Sequence, residues 1–282
     1  MKEIEGEIPD IDSRKIYLSG FLFLLLADFL VYGPSLQFGF LDYSDDQTYI
    51  FNNPYLRNLS VANLLAIFSD VDFDTYLPFT LISFSLDYTF WKMNPMGYHL
   101  TQLILHLANS LFVLILLMKL KIHRTVALSA ALLYSVHPVH VESVVWISER
   151  KNLLSAFFIF PSILFYMKYV ERPTGGRRYF LASLAFFIFG LLSKSIALVL
   201  PVIFILLDLF IYKRGLRIYE KIPFFAGALL MGLMTLRNQG QMGFIRTVYP
   251  ADSFWMTLVF TVRIYGDYLL SLLFPVQLSP YY

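Results

Sequence analysis

Apolar runs close to the roughly 20 residues that cross a hydrocarbon core recur along the chain, separated by short polar breaks. IYLSGFLFLLLADFLVYGPSL (16–36) and YHLTQLILHLANSLFVLILLM (98–118) are the clearest. The pattern predicts eight helical segments near 16–36, 98–118, 125–140, 152–170, 178–193, 195–212, 222–238 and 253–274. A single helix from Tyr179 to Tyr212 would be about 50 Å long, too long for one crossing, so the polar Ser193-Lys194-Ser195 predicts a turn. The loop at about 41–97 is too long to be a featureless connector. Within it, NLSVANLLAIFSD (58–70) predicts a short amphipathic helix capped by Ser60, and PFTLISFSLDYTFW (78–91) a second with Pro78 in its first turn. Both are expected on the membrane surface.

Composition turns these helices into membrane spans. Of 282 residues, 57% are hydrophobic and 15% charged, with mean hydropathy +0.62, well outside the range of soluble domains. The expected fold is an all-α integral membrane protein of about eight transmembrane helices, one domain over 1–282. Tyr17, Tyr32, Tyr98, Tyr169, Tyr179 and Tyr212 fall at span ends, where interfacial belts form. The first span is too long for a cleaved signal and carries Asp28, so it reads as an anchor. With no cysteine, disulfides, thiol catalysis and thiolate metal sites are excluded. A net charge of +2 without a basic tract gives no reason to expect nucleic acid as a partner.

Charge sets the expected orientation. Fourteen of the 22 Lys and Arg fall in four clusters: Lys2, Arg14 and Lys15; Lys119, Lys121 and Arg124; Lys168, Arg172, Arg177 and Arg178; Lys213, Arg214, Arg217 and Lys221. Eight spans put all four on one side, which the positive-inside rule makes cytoplasmic together with the N-terminus. The opposite face receives Asp42, Asp45, Asp46, Asp70, Asp72, Asp74, Asp87, Glu142, Glu149 and Asp252. Adjacent Asp45 and Asp46 raise one another's proton affinity if they share a site, which suits a general base. HPVHVES (137–143) brings His137, His140 and Glu142 within reach of one another if helical, as a polar wall or metal ligands. Arg150, Lys151 and Lys194 are cations suited to phosphate. A solvated acidic loop, hydrogen-bonded histidines and snorkelling cations account for the same residues structurally. Asp28 and Asp208 lie within spans, where a carboxylate needs a partner; Arg214 or Lys213 is near enough in sequence for Asp208.

DDQTYIFNNPYLRN, PFTLISFSLDYTF, NPMGYHLTQLILHLANSLF, LLYSVHPVHVESVVWISERKNLLSAFF, LLSKSIALVLPVIFILLDLF and LLFPVQLSPYY, in this order, resemble the membrane portion of the transmembrane and tetratricopeptide-repeat protein O-mannosyltransferases and their bacterial relatives. The resemblance implies the GT-C glycosyltransferase fold, a polyprenyl- or dolichyl-phosphate sugar as donor, and an acceptor hydroxyl on a protein or other exported molecule. It implies Asp45 and Asp46 as the paired catalytic acids, and Arg150, Lys194, His137, His140 and Glu142 as donor-binding residues, with no cofactor or metal required. The bacterial inner membrane is the expected location, with membrane lipids as further partners. Ser195 stands where the family commonly has glutamate after the lysine, and Leu77 where it commonly has arginine before the proline. The family continues into further spans and helical repeats, whereas this sequence ends at Tyr282. A lipid-sugar transporter and a non-catalytic membrane module are the alternative readings of the same residues.

Overall fold

A computed structural model describes residues 13–41, 45–69, 76–172, 174–241 and 253–276. All eight apolar segments form helix, although the third, expected over 125–140, ends at Val136 ahead of an extended His137, and there is no strand among the described residues. The helices are α1 (Ser13–Tyr32), α2 (Val61–Ser69), α3 (Pro78–Trp91), α4 (Pro95–Lys119), α5 (Arg124–Val136), α6 (Val141–Val145), α7 (Arg150–Val170), α8 (Arg177–Ser193), α9 (Leu200–Leu206), α10 (Ile222–Gln241) and α11 (Phe254–Leu273). Four stretches, Leu18–Gln37, Pro95–Lys119, Ile147–Val170 and Phe254–Leu273, are long and apolar enough to cross a membrane. Two shorter ones, Arg124–Val136 and Ser195–Ile211, are apolar helices below that length. The protein is an all-α membrane protein.

In lipid, helices gain little by hiding apolar groups from one another, so close packing and interhelical hydrogen bonds hold the bundle. The α7–α8 seam shows both. Ser162 Oγ donates to the Ser183 carbonyl at 2.8 Å and Ser183 Oγ returns a bond to the Ser162 carbonyl at 2.8 Å, while Ser155 Oγ donates to the Gly190 carbonyl at 3.2 Å. Deeper in the bundle Tyr166, Phe187, Phe204 and Phe224 join α7, α8, α9 and α10, with Tyr166 stacked on Phe204 at 4.2 Å. Outside, Leu18, Leu22, Leu26 and Leu30 of α1 recur every four residues and remain exposed, the stripe expected of a lipid-facing surface. Asp208 is fully buried and satisfied: it accepts from Lys221, from Arg214 Nε at 2.9 Å and from the Tyr166 hydroxyl at 3.0 Å.

The outer loop folds largely as its pattern predicts. Ser60 caps α2, its Oγ accepting from the Asn63 amide at 3.2 Å, and α3 begins at Pro78. One expectation changes. Helix α3 is not merely laid on the membrane surface, because Thr80, Leu81, Phe84, Ser85 and Asp87 are buried against neighbouring helices while Leu86, Thr89, Phe90 and Trp91 are turned out. Its last turn meets α4 at Gly97, where an added Cβ would lie 2.1 Å from Trp91 Cγ. Gly97→Ala is therefore expected to cost about 1–3 kcal/mol as overpacking; an unchanged melting temperature in detergent would contradict this contact.

Candidate functional site

The predicted site residues separate into three groups, of which one is open. Asp45 and Asp46 begin the turn leading into Gln47–Phe51, and their side chains diverge. Asp46 is 1% exposed. Its Oδ2 accepts from the Leu41 amide at 2.9 Å, and its Oδ1 accepts from the Ser148 amide at 3.1 Å and from the Ser148 hydroxyl. The Asp45 side chain is 45% exposed and pairs with Lys151 at 3.2 Å. The two acids therefore have different surroundings and partners, whereas adjacency alone suggested a shared proton. Asp42 lies outside the described residues, as do Asp70, Asp72, Asp74 and Asp252.

From Asp45 a chain of ionic contacts crosses the α7 entrance. Lys151 also pairs with Glu149 at 2.8 Å, and Lys194 approaches Glu149 at 3.8 Å while donating to Asn152 Oδ1. Asn152 Nδ2 donates to Glu149 Oε2 at 2.6 Å and to Ser143 Oγ at 3.1 Å. Glu142, exposed on α6, belongs to the same field. Partial burial, then the charge of Glu149, raise its carboxyl above the ordinary value, with Lys194 and Lys151 opposing. Burial holds the Lys194 ammonium below the ordinary lysine value, Glu149 opposing and Lys151 adding to the effect. The break that presents Lys194 falls where Ser193-Lys194-Ser195 predicted it: α8 ends at Ser193 and Lys194 is extended, with φ −161° and ψ 141°.

Arg150 lies beneath this chain and not in it. Its side chain is fully buried, paired with Asp87 at 2.5 Å, and donates to the Tyr98 carbonyl at 3.0 Å and Gln102 Oε1 at 3.3 Å. The guanidinium rests 4.6 Å from the ring centre of Phe84. With a further contact from Nη1 to the Ser83 carbonyl at 3.4 Å, this cation ties α3 and α4 to α7. Helix geometry explains the division: successive residues point about 100° apart, so Arg150 turns inward and Lys151 outward. Two cations in the first turn of α7 also oppose the helix dipole, which Glu149, Asp87 and Asp45 offset.

His137 and His140 form the third group. The residue before a proline is pushed out of the helical region, and His137 is extended ahead of Pro138 (φ −67°, ψ 128°), so the segment is a single tight turn instead of a continuous helix. His137 Nδ1 accepts from the Val139 amide at 3.2 Å. The His140 ring sits 4.4 Å from Tyr134 and 5.5 Å from His106. His106 Nε2 in turn donates to the Ser135 carbonyl at 2.9 Å, and the Ser135 hydroxyl donates to Asp28. This is a polar knot joining α1, α4 and α5, set apart from the Lys151–Lys194 group. Among the described residues no three His, Asp or Glu side chains converge closely enough to hold a metal ion.

Glu149, Asn152 and Asp87 have roles in this arrangement that sequence reading did not assign. For Glu149 and Asn152 the contiguous Ser148-Glu149-Arg150-Lys151-Asn152 was the signal, since polar residues opening an apolar helix each need a partner; for Asp87 it was a lone carboxylate within the apolar α3.

The fold and the ionic chain define a membrane protein with a charged, half-open site at the helix ends. The relatives name a narrower kin: the chain is related to the protein O-mannosyl-transferases, as its motifs suggested. It is 28% identical over 176 residues to protein O-mannosyl-transferase TMTC3 of Mus musculus, covering 58% of this chain and 18% of that protein. It is 26% identical over 224 residues to protein O-mannosyl-transferase TMTC1 of Homo sapiens, covering 76% and 23%. With protein O-mannosyl-transferase tmtc2 of Xenopus laevis it shares 36% over 95 residues, covering 34% and 11%. The matched region thus spans about a fifth of the first two relatives' length. No family model matches the chain, and no solved structure matches it.

Proposed function

We propose that this chain is the membrane portion of a GT-C-type glycosyltransferase that moves a sugar, mannose by kinship, from a polyprenyl- or dolichyl-phosphate carrier to a hydroxyl on a protein. The site faces the non-cytoplasmic side, with the N-terminus and the four basic clusters inside, and the bacterial inner membrane is its location. The observation that carries the reading is the exposed Asp45 carboxylate set against Lys151 and Lys194 within one ionic chain. The acceptor oxygen attacks the anomeric carbon as Asp45 takes its proton. The bond from that carbon to the phosphate oxygen breaks, and the lipid phosphate leaves with the electron pair, inverting the centre. Lys151 and Lys194 stabilise the charge that develops on phosphate, as pre-placed cations in a poorly hydrated site do. Asp46 and Arg150 act as positioning residues. Incubation of the purified protein with a panel of radiolabelled polyprenyl-phosphate sugars and a hydroxyl-bearing polypeptide tests this; label is expected on the polypeptide with the mannose donor, and none from any donor would overturn it.

The lowered Lys194 value adds a pH signature. A lysine held below its ordinary value loses its charge earlier as pH rises, so donor affinity falls at a lower pH than an ordinary lysine would allow. Arginine stays charged throughout. Lys194→Arg is expected to move the alkaline fall in donor affinity upward, measured as the Kd of polyprenyl-phosphate mannose from neutral pH upward. Superimposable profiles would remove Lys194 from the phosphate site.

A further inference from the structure

Two guanidinium groups meet at one tyrosine on the α7–α8 turn, at the opposite end of these helices from Lys151 and Lys194. Arg172 lies 5.3 Å and Arg178 4.8 Å from the Tyr179 ring centre, and Arg178 Nη2 donates to the Tyr179 hydroxyl at 2.9 Å. The turn is kept tight by Gly175, with φ +74°, and by Gly176, where a Cβ would lie 2.5 Å from the Arg172 carbonyl oxygen. Tyr179 stacks on Phe165 (6.4 Å, 19°) and Phe165 on Phe186 (5.5 Å, 9°), a ladder running from the turn along the helix pair. Lys168 lies 5.5 Å from the Phe165 ring centre.

Lys168, Arg172, Arg177 and Arg178 are exposed, and none is paired with a carboxylate among the described residues. The adjacent acid, Glu171, is engaged by Lys119 at 2.5 Å and by the Tyr212 hydroxyl at 3.1 Å. In the neighbouring basic cluster, by contrast, Arg214 and Lys221 are neutralised by Asp208 and Glu220. Like charges gathered around one ring repel unless an anion joins them, and two planar guanidinium groups match the oxygens of a phosphate. The ladder below offers a hydrocarbon body a surface to lie on. A ligand with an anionic phosphate head and an apolar body, at the mouth of a membrane helix pair, is a phospholipid.

We propose that Arg172, Arg178 and Tyr179, with Lys168, form a headgroup site for an anionic phospholipid, its chains following Phe165 and Phe186. The site depends on membrane embedding alone and not on sugar transfer. Native mass spectrometry of the purified protein in neutral detergent tests it, titrating phosphatidylglycerol and phosphatidylcholine of identical chains. Phosphatidylglycerol is expected to bind and phosphatidylcholine not. At about a factor of five per basic residue, Arg172→Gln with Arg178→Gln should weaken binding roughly 25-fold. Arg172→Lys with Arg178→Lys, which keeps the charge, should retain most of it and guards against misfolding of the neutral variant. Lys121→Gln with Arg124→Gln should leave it unchanged. Equal binding of the two lipids, equal binding by the wild type and the Gln variant, or full displacement by inorganic phosphate, which would mark a soluble-phosphate site, overturns the proposal.

Discussion

Replacing Asp45 with Asn is expected to lower sugar transfer by about 10²–10⁴-fold, the range a positioned general base supplies, and to leave the protein folded. The second half follows from geometry. The Asp45 side chain is 45% exposed with one ionic partner at 3.2 Å, a contact worth at most about 1 kcal/mol. Asp46→Asn is the informative contrast. The Asn nitrogen would turn a donor toward either the Leu41 amide or the Ser148 donors, and a buried mismatch of that kind costs about 1–3 kcal/mol. Transfer from a lipid-linked sugar and melting temperature, measured on both variants, separate the two acids: activity without stability for Asp45, stability with activity for Asp46. Undiminished transfer by the Asp45 variant would sink its assignment as the base.

Arg150→Met is expected to be the most destabilising single change, by about 3–5 kcal/mol, because it leaves Asp87 charged and buried. Among the described residues only the Thr101 hydroxyl, 2.7 Å from Asp87 Oδ1, would remain as its side-chain partner. Burial already raises the Asp87 carboxyl above its ordinary value, with Arg150 the main opposing influence. Adding Asp87→Leu should recover much of the loss, since an apolar pair of similar volume bears no desolvation penalty. If Arg150 instead held the donor phosphate, the double variant would regain its melting temperature and still fail to transfer. A single variant as stable as wild type would show that the pair does not hold α3 to α7.

The polar residues show where sequence reading stops. Adjacent Asp45 and Asp46 carry no mark in the sequence of which is buried; that depends on Ser148, about a hundred residues away, offering its amide and hydroxyl to one of them. Arg150 and Lys151 look interchangeable as a pair of cations. Their roles part because the helix turns one toward Asp87 and the other toward Asp45. His137 and His140 were expected on a helix running through 125–140, which the structure ends at Val136 because the residue before Pro138 is pushed out of the helical region; their association with His106 and Asp28 was not legible either.

Length and hydrophobicity by themselves determined the membrane class, the helical segments, the break at Lys194 and the Ser60 cap, because each depends on a few neighbouring residues or on hydrocarbon thickness. Kinship with the protein O-mannosyl-transferases was also legible, in motifs that keep their order. Only the tertiary structure decided which charges are spent on holding helices together and which stay at the opening. In a low-dielectric interior a charge must find an opposite charge or a fan of dipoles, and those partners come from elements far apart in the chain.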